Sequence, residues 1–263
     1  MANFHTQKWF LDNLQHHLDL VKGAGYNVAA IFYLGSGNYG MDIESSDFDS
    51  IAFVIPSVRD FVRNEKFLSN LIPAGNGEIK IKDIRHLPQM ILNQNPADLQ
   101  IFISVAKWNN PEYESTFREI MKWREVAFNW NPNKFLMAVR SQAFKALGEC
   151  YRRYGKEGES SYCWKKASIV YRCLDYVQKF LKEKYLYMDY MWEITDEWDL
   201  AYGCKIKAQE KEEFTLENYS KISTICNDID RLVSIYCNNH DFNHNELSDD
   251  LYQLIGDIIW QRD

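Results

Sequence analysis

The sequence predicts an α+β protein, with a sheet and its helices in residues 1–108 and an all-helical region over 109–263. Compact apolar runs bounded by glycine or proline, as strands require, occur up to about residue 107. From Lys134 onward the apolar residues recur almost wholly at helical spacing. Asn-Pro pairs at 110–111 and 131–132 lie between the two patterns, and such pairs mark breaks in regular structure.

The N-terminal region mixes helices and strands. Apolar residues at helical spacing predict a first helix from Gln7 to Leu20, after which glycines break the pattern. The runs from Asn27 to Leu34 and from Ser50 to Ile55 predict two buried strands of one sheet. Three more elements follow: a helix from Phe61 to Leu71, a half-buried strand in EIKIKDI (78–84), and a strand from Leu99 to Val105.

The C-terminal region is a succession of amphipathic patterns. The charged stretch KAQEKEEF (207–214) is typical of a solvated loop or a helix end. The predicted helices span 114–127, 134–153, 162–184, 187–202, 215–238 and 247–261.

Charge and hydropathy exclude several classes of protein. The chain has 263 residues, and 30 Lys and Arg against 37 Asp and Glu give a net charge of -7, which argues against a general basic surface for duplex nucleic acid. Its apolar runs are far shorter than the roughly 20 residues of a membrane span. The N-terminal MANFHTQKWF has neither the basic nor the apolar part of a signal peptide. We therefore expect a cytoplasmic protein without a membrane partner.

One segment, YLGSGNYGMDIESSDFDSIAFVIPS (33–57), contains the residues most suited to chemistry. Gly35, Gly37 and Gly40 spell GxGxxG after a strand, as in dinucleotide-binding turns. Those turns lead directly into a helix, whereas only about ten residues, many of them acidic, precede the next strand here. That spacing leaves no room for a crossover helix, so the dinucleotide interpretation is disfavoured.

A phosphate and metal site explains the same residues better. Asp47 and Asp49 are two positions apart at the start of a strand, so both carboxylates project to one face and can bind the same cations. Mg²⁺ prefers few carboxylates and completes its shell with water and phosphates. Two such ions about 4 Å apart can clamp the attacking and leaving oxygens of a phosphoryl displacement. Gly35 and Ser36 let the backbone approach a triphosphate and donate to its oxygens.

These motifs resemble the signature of the DNA polymerase β-like nucleotidyltransferase superfamily, a Gly-Ser pair followed after a short spacer by Asp-x-Asp on the next strand. GSGNYG (35–40) and SSDFDS (45–50) match it. The longer form GSxxYGxxxxxSDxD is similar to a bacterial and phage branch of predicted nucleotidyltransferases, some associated with RNA repair genes. Weaker similarity extends to EIKIKDIRHLPQMILNQNP (78–96) and WKKASIVYRCL (164–174). The resemblance implies a nucleotidyltransferase-type mixed sheet flanked by helices.

The resemblance also implies roles for the matching residues. Gly35 and Ser36 would contact the nucleotide phosphates, while Asp47 and Asp49 would bind the metal. Two further residues of the motif, Tyr39 and Ser46, are candidate nucleotide contacts, and the Tyr39 ring could instead only anchor the turn.

A third carboxylate of the family acts from a neighbouring strand, as base or metal ligand. Glu78 is its best match here and Asp83 the second; the alternation of EIKIKDI puts them on opposite faces, so at most one lines the site. Lys166 and Arg172 match basic helical positions that would pair with phosphates.

The function implied is a Mg²⁺- or Mn²⁺-dependent nucleotidyltransferase that binds a nucleoside triphosphate such as ATP and transfers its NMP to a hydroxyl, releasing pyrophosphate. An RNA 3′ end is the favoured acceptor, and a protein hydroxyl or a small molecule fits the motif equally well. Two positions differ from the family, Ile169 where a histidine is frequent and Gln100 where a glutamate is expected. These motivate an alternative, an inactive module that binds nucleotide, RNA or protein. A second alternative is an acceptor-free synthase of a nucleotide second messenger.

Overall fold

The computed structural model describes residues 4–63, 68–183, 194–240 and 247–260. It has the predicted α+β architecture, a mixed five-stranded sheet with flanking helices followed by a helical region. The chain divides into two compact units, Met1–Trp130 with His244–Asp263, and Asn131–Asn243. The predicted division at 108/109 thus lies inside the first unit, and the last helix belongs to that unit as well.

The first unit is built on five strands: β1 Val28–Leu34, β2 Asp49–Val54, β3 Ser69–Ala74, β4 Gly77–Asp83 and β5 Lys107–Asn109. Their order is β3-β4-β2-β1-β5, with β2 and β4 parallel and the other neighbours antiparallel. Its helices are α1 Gln7–Gly23, α2 Val58–Val62, α3 Leu87–Leu92, α4 Pro96–Leu99, α5 Glu114–Lys122, α6 Arg124–Asn129 and α11 Leu247–Trp260.

Helix α1 covers one face of this sheet. Thr6 caps its first turn by accepting a hydrogen bond from the Trp9 amide, and one stripe of its side chains is buried. Its residues Phe10 and Leu14 pack in a core with Tyr33 and Phe48. Phe48, which directly precedes β2, is therefore anchored by apolar contacts in the core that includes side chains of α1. On the other face, Phe32 of β1 lies 6.2 Å, ring to ring, from Phe117 of α5.

Two of the predicted secondary-structure elements are wrong, the helix over 61–71 and the strand over 99–105. The predicted helix over 61–71 is replaced by α2, which ends at Val62, and by β3, which begins at Ser69; residues 64–67 lie outside the described part. The hairpin turn Gly75-Asn76 that joins β3 to β4 explains β3, because glycine at φ +61° permits such a tight turn. Pro73 is tolerated in β3 because that strand is at the sheet edge.

The predicted strand over 99–105 is instead α4 followed by a 3₁₀ helix, Gln100–Ile103. The Asn95 side chain accepts a hydrogen bond from the Ala97 amide, and Pro96 occupies the first helical position. A short apolar run is compatible with either structure, so periodicity did not separate the two.

The second unit is helical, with α7 Pro132–Arg153, α8 Ser160–Glu183, α9 Asp196–Gln209 and α10 Leu216–Asn239. Helix α8 packs against the other three, and α10 also packs against α7. These agree with the predicted helices at 134–153, 162–184 and 215–238; the first half of the helix predicted over 187–202 lies outside the described residues. KAQEKEEF is a helix end and loop, as expected. Within the described ranges, no helix is long and apolar enough to cross a membrane.

The Asn-Pro pairs at 110–111 and 131–132 are starts of helical segments as well as breaks. The side chain of Asn110 accepts from the Glu112 amide and that of Asn131 from the Lys134 amide, so each asparagine caps the turn that follows.

Candidate active site

The parallel pairing of β2 with β4 brings two predicted carboxylates together. Ser50 pairs with Ile79, so the preceding residues Asp49 and Glu78 are neighbours, and the Glu78 amide donates to Asp49 Oδ1 at 3.1 Å. Asp47 is exposed and Phe48 is buried, as expected if alternate side chains of this segment face opposite ways. These carboxylates line an open cleft of about 340 Å³ together with Leu71, Pro73 and Gly77.

Gly77 sets how closely the two strands approach at this cleft. A Cβ atom placed on Gly77 would overlap the carbonyl oxygen of Phe48, far inside the 3.0 Å that real Cβ contacts keep. Only glycine therefore lets β4 begin directly beside the Asp47–Asp49 segment. The close approach puts the Glu78 amide within reach of Asp49.

Negative charge accumulates in this cleft. Burial raises the pKa of Asp49 above its usual value, and the charges of Glu78 and Asp47 raise it further. The hydrogen bond from the Glu78 amide and the charge of Lys80 act in the opposite direction. Lys80 is 3.8 Å from Glu78 Oε1, a distant and half-exposed ion pair. The site is thus electrostatically unfavourable when empty of cations, and a bound cation would relieve it.

The Gly-Ser turn follows directly on the strand position opposite Asp49. Leu34, the last residue of β1, pairs with Asp49, so Gly35 comes next to the acidic segment. Gly35 has φ +151°, where other residues are strained, and a Cβ atom here would lie 2.5 Å from the Tyr33 hydroxyl. That hydroxyl accepts a hydrogen bond from the Gly37 amide at 3.1 Å.

The two serines of the motif are brought together. Ser36 Oγ lies 3.4 Å from Ser46 Oγ, and Ser46 Oγ accepts from the Ile43 amide at 2.9 Å. Since Ser46 directly precedes Asp47, this contact links the Gly-Ser turn to the acidic segment. Tyr39 is only 3% exposed, so its ring offers no open face to a nucleotide in this conformation.

Asp83, the second candidate for the third carboxylate, lies at the other end of β4. Arg85 Nη2 is 2.6 Å from Asp83 Oδ2 and Arg85 Nε is 3.0 Å from Oδ1, a bidentate pair that neutralises this buried acid. Of the two candidates, only Glu78 is brought to Asp47 and Asp49.

Lys166 and Arg172 are both on α8 in the helical unit. Lys166 forms an ion pair with Glu149, and its hydrogen bond is the main cause that lowers the Glu149 pKa. Its ammonium also lies 4.7 Å from the centre of the Tyr162 ring. Arg172 is half-buried. A phosphate contact by Lys166 would have to replace the pair with Glu149.

The donors at the cleft suit a hard divalent cation such as Mg²⁺ or Mn²⁺. Asp47 and Asp49 are carboxylates two positions apart at the start of β2, and the raised pKa of Asp49 marks a position short of positive charge. In the described parts of the chain, no group of three or more His, Cys, Asp or Glu side chains is arranged to hold a metal by itself. Any ion at the cleft would therefore depend on substrate oxygens, as Mg²⁺ commonly does beside nucleotides.

The sequence did not indicate the role of Gly77, and it singled out Gln100 only as a departure from the family pattern, not for the contact that it makes. Gly77 belongs to AGNGEIK (74–80), whose Gly-Asn-Gly is a hairpin signal that should have placed a strand on each side. Gln100, whose side chain accepts a hydrogen bond from the Gly35 amide at 2.9 Å, is 65 positions away, and no local pattern reveals such a contact.

No protein-family model matches the chain, and neither does a curated protein. One solved structure with some likeness is a nucleotidyltransferase-like protein from Exiguobacterium sibiricum 255-15, 10% identical, with 93% of this chain and 87% of that chain covered and a TM-score of 0.28. At that TM-score the likeness carries no functional argument.

Proposed function

We propose that this protein is a nucleotidyltransferase that moves a nucleoside monophosphate from an NTP to a hydroxyl acceptor with release of pyrophosphate. The observation that carries the proposal is the juxtaposition of Asp49 with Glu78 beside the Gly-Ser turn. A glycine in a conformation that other residues rarely adopt, a pair of contacting serines and three carboxylates lie at the same end of strands β1, β2 and β4.

Each residue has a distinct task in this proposal. Asp47 and Asp49 hold divalent cations, which when bound neutralise charge on the triphosphate and polarise the reacting oxygens. Ser36 and the amides of its turn bind phosphate oxygens. Glu78 takes the proton of the acceptor hydroxyl as that oxygen attacks the α-phosphorus and the bond from the α-phosphorus to the bridging oxygen breaks. Pyrophosphate leaves with the electron pair of that bond.

Most of the acceleration then comes from positioning and charge neutralisation, because phosphoryl transfer leaves little covalent chemistry to the protein. The raised pKa of Asp49 fits this role. Cation binding requires the ionised carboxylate, so activity should decline as the pH falls towards the Asp49 pKa, at a higher pH than an unperturbed aspartate would give. Bound cations shift that limit to lower pH.

RNA is the acceptor that we favour, and the basic residues of the helical unit support it. Arg152 and Lys165 are exposed, and so is Tyr151, which precedes Arg152 and is 68% exposed; these side chains offer charge and a stacking surface. Arg153 and Lys166 are engaged by Glu159 and Glu149. Binding through such cations weakens steeply with salt, so an acceptor affinity that is indifferent to salt would count against RNA.

The test is transfer of label. Purified protein is incubated with each α-labelled NTP, Mg²⁺ or Mn²⁺, and either total RNA, cell protein or no acceptor. We expect label in RNA with the wild type and none with Asp47→Asn. Label in protein, or in a small product formed without acceptor, keeps the nucleotidyl transfer and changes the acceptor. Nucleotide binding without any transfer would instead establish an inactive binding module.

A further inference from the structure

Gln100 reaches from a distant part of the chain to the Gly-Ser turn. Its Oε1 accepts a hydrogen bond from the Gly35 amide at 2.9 Å, and Gln100 as a whole is 8% exposed. The sequence separation is 65 residues, so the contact is tertiary. Gly35 is the residue whose φ of +151° turns the chain out of β1. The bond therefore fixes the orientation of the peptide unit that opens the turn.

The segment that carries Gln100 is itself tied to the same turn. Ser104 Oγ donates to the carbonyl of Tyr33 at 2.9 Å, and the Val105 amide donates to Asn38 Oδ1 at 2.9 Å. Asn38, inside the turn, is fully buried. Three hydrogen bonds thus hold the Gln100–Ile103 3₁₀ turn and its continuation against the end of β1 and the Gly-Ser turn, and Gln100 is positioned in advance of any ligand.

The chemistry of a side-chain amide then determines where its donors are. The Gly35 amide can only donate, so the oxygen of Gln100 must face it, and the Nε2 group with its two N–H bonds must face elsewhere. Among the described residues no acceptor is found for Nε2. An uncommitted neutral donor therefore lies beside the turn to which the proposed function assigns the triphosphate.

We propose that Gln100 is a triphosphate-binding residue, with Oε1 holding the Gly-Ser turn and Nε2 donating to a phosphate oxygen. This inference rests on the proposed function. A glutamate at this position could accept the same bond from Gly35 but would add a negative charge beside a polyanion. The amide provides the hydrogen bond without that repulsion, so the departure from the family pattern at this position is compatible with an active site.

The test compares the affinities of Gln100→Glu and of the wild-type protein for ATP and for inorganic triphosphate, each measured with Mg²⁺ by calorimetric titration. We expect Gln100→Glu to weaken both ligands by about tenfold or more, since one unfavourable charge contact of about 1.4 kcal/mol corresponds to that factor. Because Gln100 is only 8% exposed, burying the new carboxylate should lower the melting temperature, so binding is measured at temperatures where Gln100→Glu is folded. Gln89→Glu, the same change at an exposed position of α3, is the matched control and should bind both ligands normally.

The outcomes separate this inference from the proposed function. Unchanged affinity of Gln100→Glu for both ligands, in a wild-type protein that binds them and transfers label, would overturn the role of Gln100 alone. A wild-type protein that neither binds triphosphate nor transfers label would overturn both. Gln100→Met, which removes acceptor and donor together, should also weaken binding and in addition lower the melting temperature. Equal binding by Gln100→Met and the wild type would likewise contradict the proposal.

Discussion

The carboxylates at the two ends of the parallel strands β2 and β4 have opposite electrostatic surroundings. At one end Asp47, Asp49 and Glu78 line a cleft of about 340 Å³, with Lys80 at 3.8 Å from Glu78. At the other end a cleft of about 430 Å³ contains Asp83, which Arg85 holds in a bidentate ion pair. The second cleft is larger, yet its buried acid is already neutralised.

Charge compensation, more than cavity size, distinguishes the two ends of these strands. Burial and like charges raise the pKa of Asp49. Asp60, beside the other cleft, has a pKa lowered by hydrogen bonds from Ser57. The carboxylates around Asp49 therefore lack enough positive charge, and a bound cation would stabilise their ionised forms. At the other end the charge of Asp83 is already neutralised by Arg85.

Asp49→Asn should have the largest effect on the acidic end of the strands. We expect NMP transfer to fall by about a thousandfold or more, because a metal carboxylate is lost. The free protein should become equally or more stable. A carboxyl whose pKa is raised by folding destabilises the folded state at pH values above that pKa, and the neutral amide still accepts the bond from Glu78. Activity and thermal melting at pH 7.5 check both expectations; retained transfer would refute the assignment.

Arg85→Met tests the other end of the strands. It leaves Asp83 buried without its ionic partner, which we expect to lower the free energy of unfolding by about 3 kcal/mol. At temperatures where the variant is folded, transfer should remain within about twofold of wild type, since Asp83 lies away from the cleft of Asp49. Urea denaturation and initial rates measure these quantities. A large loss of rate in folded Arg85→Met would mean that the two ends are functionally coupled.

Gly77→Ala asks whether the close approach of the strands maintains the acidic cleft. The added methyl group overlaps the Phe48 carbonyl, so we expect a loss of about 2 kcal/mol in stability and a marked loss of transfer as the Glu78 amide moves from Asp49. Gly148→Ala is the matched control. Gly148 is inside α7 with open space around it, so the alanine should stabilise by about 0.5–1 kcal/mol.

Substitution of His17 should have the smallest effect, a change in the stability of the fold that is slight near neutral pH. The His17 ring is buried against Phe48, its Nδ1 lies 2.8 Å from Ser50 Oγ, and burial lowers its pKa from 6.5 to about 4. Between these pH values the unfolded chain binds a proton that the folded state excludes, so stability falls as the pH is lowered through this window. The full loss is about 3 kcal/mol, of which little is present at pH 7. His17→Gln should show a shallower decline in urea unfolding from pH 7 to 4; an identical pH profile would contradict this.

Local patterns predicted the parts of this site that depend on nearest neighbours. Alternation in EIKIKDI placed Glu78 and Asp83 on different faces, and the structure separates them further by pairing Asp83 with Arg85. The glycine-serine turn and Asp-x-Asp were found for the same reason, since each is contained within a few residues. The division into an α+β part and a helical part followed from a change of period.

The remaining features depend on contacts between distant segments. One stretch of sequence does not reveal the close approach of Gly77 to the Phe48 backbone. It does not reveal the hydrogen bond between Gln100 and Gly35 either. The 99–105 run was assigned to a strand because its apolar residues fit either period, whereas the cap at Asn95 decides for helical turns. The burial of Tyr39 is likewise a property of the packed turn.

The most direct test of the central claim is binding of Mn²⁺ in the presence of ATP, followed by electron paramagnetic resonance, in the wild type, Asp49→Asn and Asp83→Asn. We predict protein-bound Mn²⁺ with ATP in the wild type and in folded Asp83→Asn, and its loss in Asp49→Asn. Equal binding in all three proteins, or loss only in Asp83→Asn, would contradict the claim that the uncompensated carboxylates beside the Gly-Ser turn form the functional site.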